Sequence, residues 1–127
     1  MNGDSGKVVY KELSFKIVGI LFEVYNELGY GYREKYYEEA IARCFIKDGI
    51  KFQRQLACDL IFKGEKIGIN FLDFLVEDKI ILELKKGNSF SKNNIEQVRN
   101  YLEATGKRLA ILANFTSKGV KFLRVLG

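Results

Sequence analysis

Between positions 10 and 28 the apolar residues Leu13, Ile17, Ile20, Leu21, Val24 and Leu28 recur three or four apart, the period of a helix that buries one face. The first helix is therefore expected over 10–28, stopped by the "GYG" at 29–31. A second is expected over 34–47, with Tyr37, Ile41 and Phe45 four apart on one side and Asp48-Gly49 closing it. From 50 onward the pattern turns strand-like. A strand is predicted over 50–62, a hairpin turn at "KGEK" 63–66, a second strand over 67–76, a turn at "EDK" 77–79, and a third strand ending near 86. Ile95, Val98 and Leu102 then share one side of a third helix, expected over 91–104 and ended by Thr105-Gly106. Two strands follow, a buried one over 108–115 and a last one over 120–126.

The order ααβββαββ predicts an α/β fold, a mixed β-sheet flanked by helices. The crossover from the third strand through the third helix should leave the third and fourth strands parallel, and the apolar "LAILANF" suits a position inside the sheet. If the turn centres on Asp78, Val76 pairs with Ile80, Leu75 with Ile81 and Phe74 with Leu82. Continued further, the register sets Leu72 against Leu84 on one face, and Asp73 against Glu83 and Phe71 against Lys85 on the other. Two carboxylates opposite one another repel. A divalent cation between them would compensate, since hard ions use one or two carboxylates together with water and phosphate, and Lys85 would project from the same face. A structural charge cluster on a wet sheet face, or a different register, remain the alternatives from this pattern.

The chain has 127 residues, 47% of them hydrophobic and 29% charged, with no proline. It reads as a flexible stretch over 1–9 followed by a single domain over 10–127, large enough to build a core without disulfides. No run is long and apolar enough for a membrane span, and the opening "MNGDSGKVVYKEL" has no apolar core of a signal peptide. A cytoplasmic protein with no membrane partner is expected. Cys44 and Cys58 are read as reduced thiols packed as small hydrophobes. The complete absence of histidine removes histidine bases, Ser-His-Asp triads and most zinc sites, leaving carboxylates, Lys, Tyr, Ser or a hard metal on oxygen ligands.

Asp73, nine residues, then Glu83-Leu84-Lys85 on adjoining strands resembles the D…ExK core of the PD-(D/E)xK, or restriction-endonuclease-like, nuclease superfamily. Upstream, Gly31-x-x-Glu34-x-x-Tyr37 is similar to the signature of its GxxExxY family, and downstream Gln97-x-x-x-Tyr101 resembles the QxxxY motif of its exonuclease-type relatives. The residue before Asp73 is Leu72, where the superfamily's name has proline. The resemblance implies a restriction-endonuclease-like fold and metal-dependent hydrolysis of phosphodiester bonds. Mg²⁺, or Mn²⁺ in its place, would be held by Asp73 and Glu83 with Glu34 in support. Lys85 would stabilise charge on the phosphate, and Gln97, Tyr101 and Tyr37 would position substrate.

Charge is unevenly spread. Residues 1–84 hold 12 Lys/Arg against 14 Asp/Glu, whereas residues 85–127 hold 9 against 2. A basic last third suits a polyanion, here nucleic acid, with DNA ahead of RNA. Lys86, Lys92, Arg99, Lys107 and Arg108 are candidates for its backbone, together with Lys118, Lys121 and Arg124. Two rival readings stand beside the nuclease: a catalytically silent nucleic-acid-binding module, and an assembly module whose sheet edge or first helix makes a homodimer.

Overall fold

The structure, a computed structural model, describes residues 9–85, 87 and 89–127. Its elements are α1 (Lys11–Leu28), α2 (Glu34–Lys47), β1 (Phe52–Phe62), β2 (Glu65–Val76), β3 (Ile80–Lys85), α3 (Lys92–Thr105), β4 (Leu109–Thr116) and β5 (Gly119–Leu126). This is the expected order ααβββαββ. The stretch 1–9 lies outside the described residues except for Val9, which is buried and whose carbonyl accepts a hydrogen bond from Arg124 at 3.0 Å. Lys86 also lies outside them.

The five strands form one mixed sheet in the order β1-β2-β3-β4-β5. Only β3 and β4 are parallel, joined through α3 as the crossover requires. All of β4 is buried, because helices cover both of its faces. On one face α1 and α2 pack Ile17, Leu21, Ile41 and Phe45 against Phe74, Leu82, Leu84 and Ile111. On the other α3 packs Val98, Tyr101 and Leu102 against Leu75, Ile81 and Leu112. The helical stripes read from the sequence are these buried faces. Cys58 is buried and Cys44 partly so, both as free thiols. Burial raises the pKa of each, which keeps them protonated and unreactive.

The β2–β3 register is the expected one for Phe74↔Leu82, Leu75↔Ile81 and Val76↔Ile80, and there the pairing stops. The face shared by Leu72 and Leu84, expected from continuing it, does not form. Leu72 packs on the α3 side with Cys58 and Leu75, while Leu84 packs on the α1/α2 side. The cause lies in β1 and β2 together. Gln55 has a left-handed φ of 52°, and the β1–β2 ladder runs Arg54↔Phe74, then Leu56↔Leu72, skipping Gln55 and Asp73. Across that irregularity both strands exchange faces: Phe52 and Phe74 lie toward α1 and α2, Leu56 and Leu72 toward α3. A one-residue break of this kind re-aims side chains and ends pairing. Asp73 sits at it.

Candidate active site

The site grows from that break. With β2 and β3 no longer exchanging backbone hydrogen bonds beyond Leu82, the Leu84 N–H is taken by the Asp73 side chain, Oδ2 accepting at 2.8 Å. In return the Asp73 N–H donates to Glu83 Oε1 at 3.3 Å. The two carboxylates are locked together by backbone groups, and Glu83 is 2% exposed. Burial, and then the Asp73 charge with a side-chain hydrogen bond from it, push the Glu83 pKa up to about 9. At neutral pH the pair therefore holds a proton, as two carboxyls in contact must unless a cation replaces it.

Lys85 follows on β3, and its Nζ donates to Gln97 Oε1 on α3 at 2.8 Å. One helical turn on, Tyr101 is buried, and its hydroxyl lies 3.5 Å from the Phe71 carbonyl. Burial and the Glu83 charge raise the Tyr101 pKa, with Gln97 acting the other way, so the hydroxyl stays protonated. The α3 helix that carries both residues starts on a capping box between Ser91 and Asn94. Four of the expected residues thus form two hydrogen-bonded pairs at the end of β3, Asp73 with Glu83 and Lys85 with Gln97, with Tyr101 buried on the α3 side.

Glu34 opens α2, where a carboxylate suits the helix N-terminus. It lines a depression of about 150 Å³ with Gly31, Tyr37, Leu84 and Lys85. Through that depression it faces the end of β3 from the α2 side. Among the described residues no three His, Cys, Asp or Glu side chains stand close enough together to hold a metal ion. Tyr37 is buried, its ring stacked on Phe115 at 4.2 Å. Its hydroxyl donates to the Gly29 carbonyl at 2.5 Å and accepts the Tyr32 N–H at 3.3 Å, which pins the loop before Glu34. Gly31 in that loop has φ 107°, a conformation that L side chains rarely adopt.

Residues 11–125 match the family model described as the PD-(D/E)XK nuclease superfamily. The chain belongs to this superfamily. Solved structures share the fold of this PD-(D/E)XK chain. The crystal structure of SSO0001 superimposes with a TM-score of 0.55 at 12% identity, over 72% of this chain and 48% of that one. An alkaline exonuclease from Laribacter hongkongensis, LHK-Exo, gives 0.53 at 17% identity, over 72% and 55%. The same exonuclease in complex with dAMP gives 0.53 at 17%, over 72% and 54%. The chain spans about half the length of these structures. No curated protein matches the sequence.

Two features beside the candidate site were not expected from the sequence, Gln55 with its partner Glu38 and, separately, Asn114. Gln55 Nε2 lies 3.4 Å from Asp73 Oδ1 and 3.2 Å from Glu38 Oε1. Gln55 thus links Asp73 to Glu38 of α2, while Arg54 pairs with Glu38 at 3.2 Å and with Glu39 at 3.1 Å. Gln55 and Asp73 face each other where the β1–β2 ladder skips both, a break that no apolar pattern marks in the sequence. The other is Asn114, fully buried opposite Lys85 on β4, whose amide donates to the Gly87 carbonyl at 2.9 Å and fastens the chain leaving β3.

The basic residues divide between the two ends of the sheet. Lys85 pairs with Asn114 and Asn114 with Lys121, so Lys121, and Lys118 in the adjoining turn, lie at the site's end. Lys107 and Arg108 precede the β4 residue that pairs with Ile80, at the far end of β3, where Lys107 binds Asp78 at 3.1 Å. Lys92 and Arg99 are exposed on α3, Arg99 at 3.5 Å from Glu96. No helix among the described residues is long and apolar enough to cross a membrane.

Proposed function

We propose that this chain is a metal-dependent nuclease of the GxxExxY branch, a single domain over 10–127 that hydrolyses phosphodiester bonds of nucleic acid, DNA ahead of RNA, in the cytoplasm. The observation that carries the reading is the Asp73–Glu83 pair, a buried acid held by backbone groups beside a second carboxylate, with Lys85 fixed next to it by Gln97.

The donor set fits a hard divalent cation. Two carboxylates that share a proton present oxygen ligands that such an ion takes in the proton's place, with water and phosphate completing its shell. Mg²⁺, with Mn²⁺ as substitute, would be held by Asp73 and Glu83, with Glu34 supporting from α2. When bound, it would polarise the phosphate and acidify a water molecule.

The chain's own residues do the rest. Lys85, its ammonium oriented by Gln97, lies where charge grows on the phosphoryl oxygens. Tyr101 shields the acid pair from water on the α3 side and keeps its proton as a donor. Tyr37 fixes the loop that presents Glu34. Lys118 and Lys121 hold the nucleic-acid backbone at the site's end, Lys92 and Arg99 along α3, and Lys86 beside Lys85; contacts of this kind give affinity without sequence readout.

A second reading, a catalytically silent binding module, is favoured by the absence of a three-carboxylate cluster among the described residues. A cleavage assay on labelled single- and double-stranded DNA and RNA, with Mg²⁺, Mn²⁺ or chelator, separates the two. Metal-dependent cutting that Asp73→Ala abolishes is expected. Metal-independent binding without cutting on every substrate would establish the silent module instead.

A further inference from the structure

The outward stripe of α1 is apolar at its centre. Phe15 is 80% exposed and Phe22 43%, with Phe122 of the edge strand β5 beside them at 40%. Gly19 lies between the two α1 phenylalanines, one turn from each, and a Cβ built on it meets nothing within 4 Å. At about 100° per residue, Phe15 and Phe22 fall on one flank of the line through Gly19, and Lys16 and Glu23 on the other. Both charged residues are exposed, and neither makes an ion pair within the described residues. The flank is therefore basic toward the helix start and acidic toward its end.

A stripe with a small residue at its midpoint, an aromatic on each side, and opposite charges at matching distances is complementary to itself when turned end for end. We propose that α1 packs antiparallel against α1 of a second copy of this chain, about a two-fold axis through Gly19. A two-fold of this kind sets like flank against like flank. Phe15 of one copy then meets Phe22 of the other, Lys16 meets Glu23, and Glu12 falls opposite Asn26, each contact made twice. Gly19 meets itself at the crossing, where the absence of side chains lets the helices approach. Lys11, Lys16 and Arg124 share this face with Glu12, Glu23 and Glu27, a mixture of charge that suits a second copy better than a uniformly anionic polymer. The surface is separate from the acid pair on β2 and β3, so its proof or failure is independent of the nuclease reading.

Sedimentation velocity over a range of concentrations tests it, with circular dichroism to verify folding. The wild-type chain is expected to rise from its 14.6 kDa monomer mass to twice that value. A Cβ at Gly19 meets nothing within 4 Å and leucine raises helix propensity, so Gly19→Leu should stay folded and remain monomeric. Lys16→Glu and Glu23→Lys should each raise the dimer dissociation constant at least about tenfold by setting like charges together, and the double variant K16E/E23K should restore dimerisation. A wild-type chain that stays monomeric at every concentration overturns the proposal, as does a dimer that Gly19→Leu leaves intact. A monomer whose nucleic-acid binding is weakened by Lys16→Glu would assign the face to substrate, and overturns it equally.

Discussion

The carboxylate of Asp73 takes the N–H of Leu84 at 2.8 Å, the donor that an unbroken β2 would have met with a backbone carbonyl. A side chain thereby completes the sheet at the point where the ladder ends, so the residue placed to bind a cation is also a structural acceptor. Charge and acceptor can be separated by substitution. Asp73→Asn keeps an oxygen for Leu84 N–H and removes the charge next to Glu83. It should unfold at a urea midpoint no lower than wild type, while cleavage falls at least about 100-fold, the scale for losing one group that stabilises the transition state. Loss of folding together with activity would mean that the charge, and not an oxygen acceptor alone, is needed to hold the sheet there.

Glu83 makes stability depend on pH in a direction opposite to most carboxylates. Its pKa is raised from 4.5 to about 9, so below 4.5 both folded and unfolded chains keep the proton. Between 4.5 and about 9 only the folded chain keeps it, and stability falls as pH rises, by at most about 1.4 kcal/mol per pH unit. Urea unfolding at pH 5 and pH 8 should show the drop, and Glu83→Gln should flatten it.

The same proton competes with a cation. Added Mg²⁺ or Mn²⁺ should raise the melting temperature more at pH 8 than at pH 5, and calorimetric titration in buffers of different ionisation enthalpy should detect proton release on binding. An equal rise at both pH values would mean that the ion binds away from the acid pair.

Gln97 acts through Lys85. Gln97→Leu should lower kcat about tenfold with little change in KM, whereas Lys85→Met should lower it about 100-fold or more. The double variant should be no worse than Lys85→Met alone, because removing the lysine removes what Gln97 orients. Additive losses in single-turnover kinetics would give Gln97 a separate contact with substrate.

The two ends of the sheet should differ in their salt dependence. Replacing Lys118 and Lys121 by serine should weaken nucleic-acid binding and reduce the slope of log affinity against log salt by about two, while replacing Lys107 and Arg108 should leave the slope nearly unchanged. Fluorescence anisotropy at several salt concentrations measures both.

The sequence made the element order legible because each helix carries an unbroken apolar stripe and each turn its Gly or Asp punctuation. The register of β2 on β3 followed from a single turn at Asp78, and was right for the three pairs nearest that turn. It could not show where pairing would stop, since that depends on Gln55 two strands from Glu83, and a left-handed φ at a glutamine leaves no mark in an apolar pattern. For the same reason Gln55 and Glu38 escaped notice as neighbours of Asp73, while Lys85 and Gln97, tied by strand parity and helical spacing, were found. Lys107 and Arg108 were grouped with the other basic residues of the last third by charge, which carries no position, and the length of β4 sets them at the opposite end of β3 from Lys85.

The exchange of faces at Gln55 and Asp73 divides the sheet mechanically. On one side, β2 is gripped by β3 and sandwiched between helices; on the other, Leu56–Phe71 runs on as a hairpin that leaves Ile61, Phe62, Ile67, Ile69 and Phe71 exposed. A two-stranded ribbon has little stability by itself, so it is the first part of the sheet to fray, and amide exchange should run faster there than at Ile80–Leu82. Asp73 lies at the root of that ribbon, between the buried Leu72 and Phe74, and its backbone-held tie to Glu83 sets the acid pair on the firm side of the boundary, like the fixed end of a spring whose tip alone is free to bend.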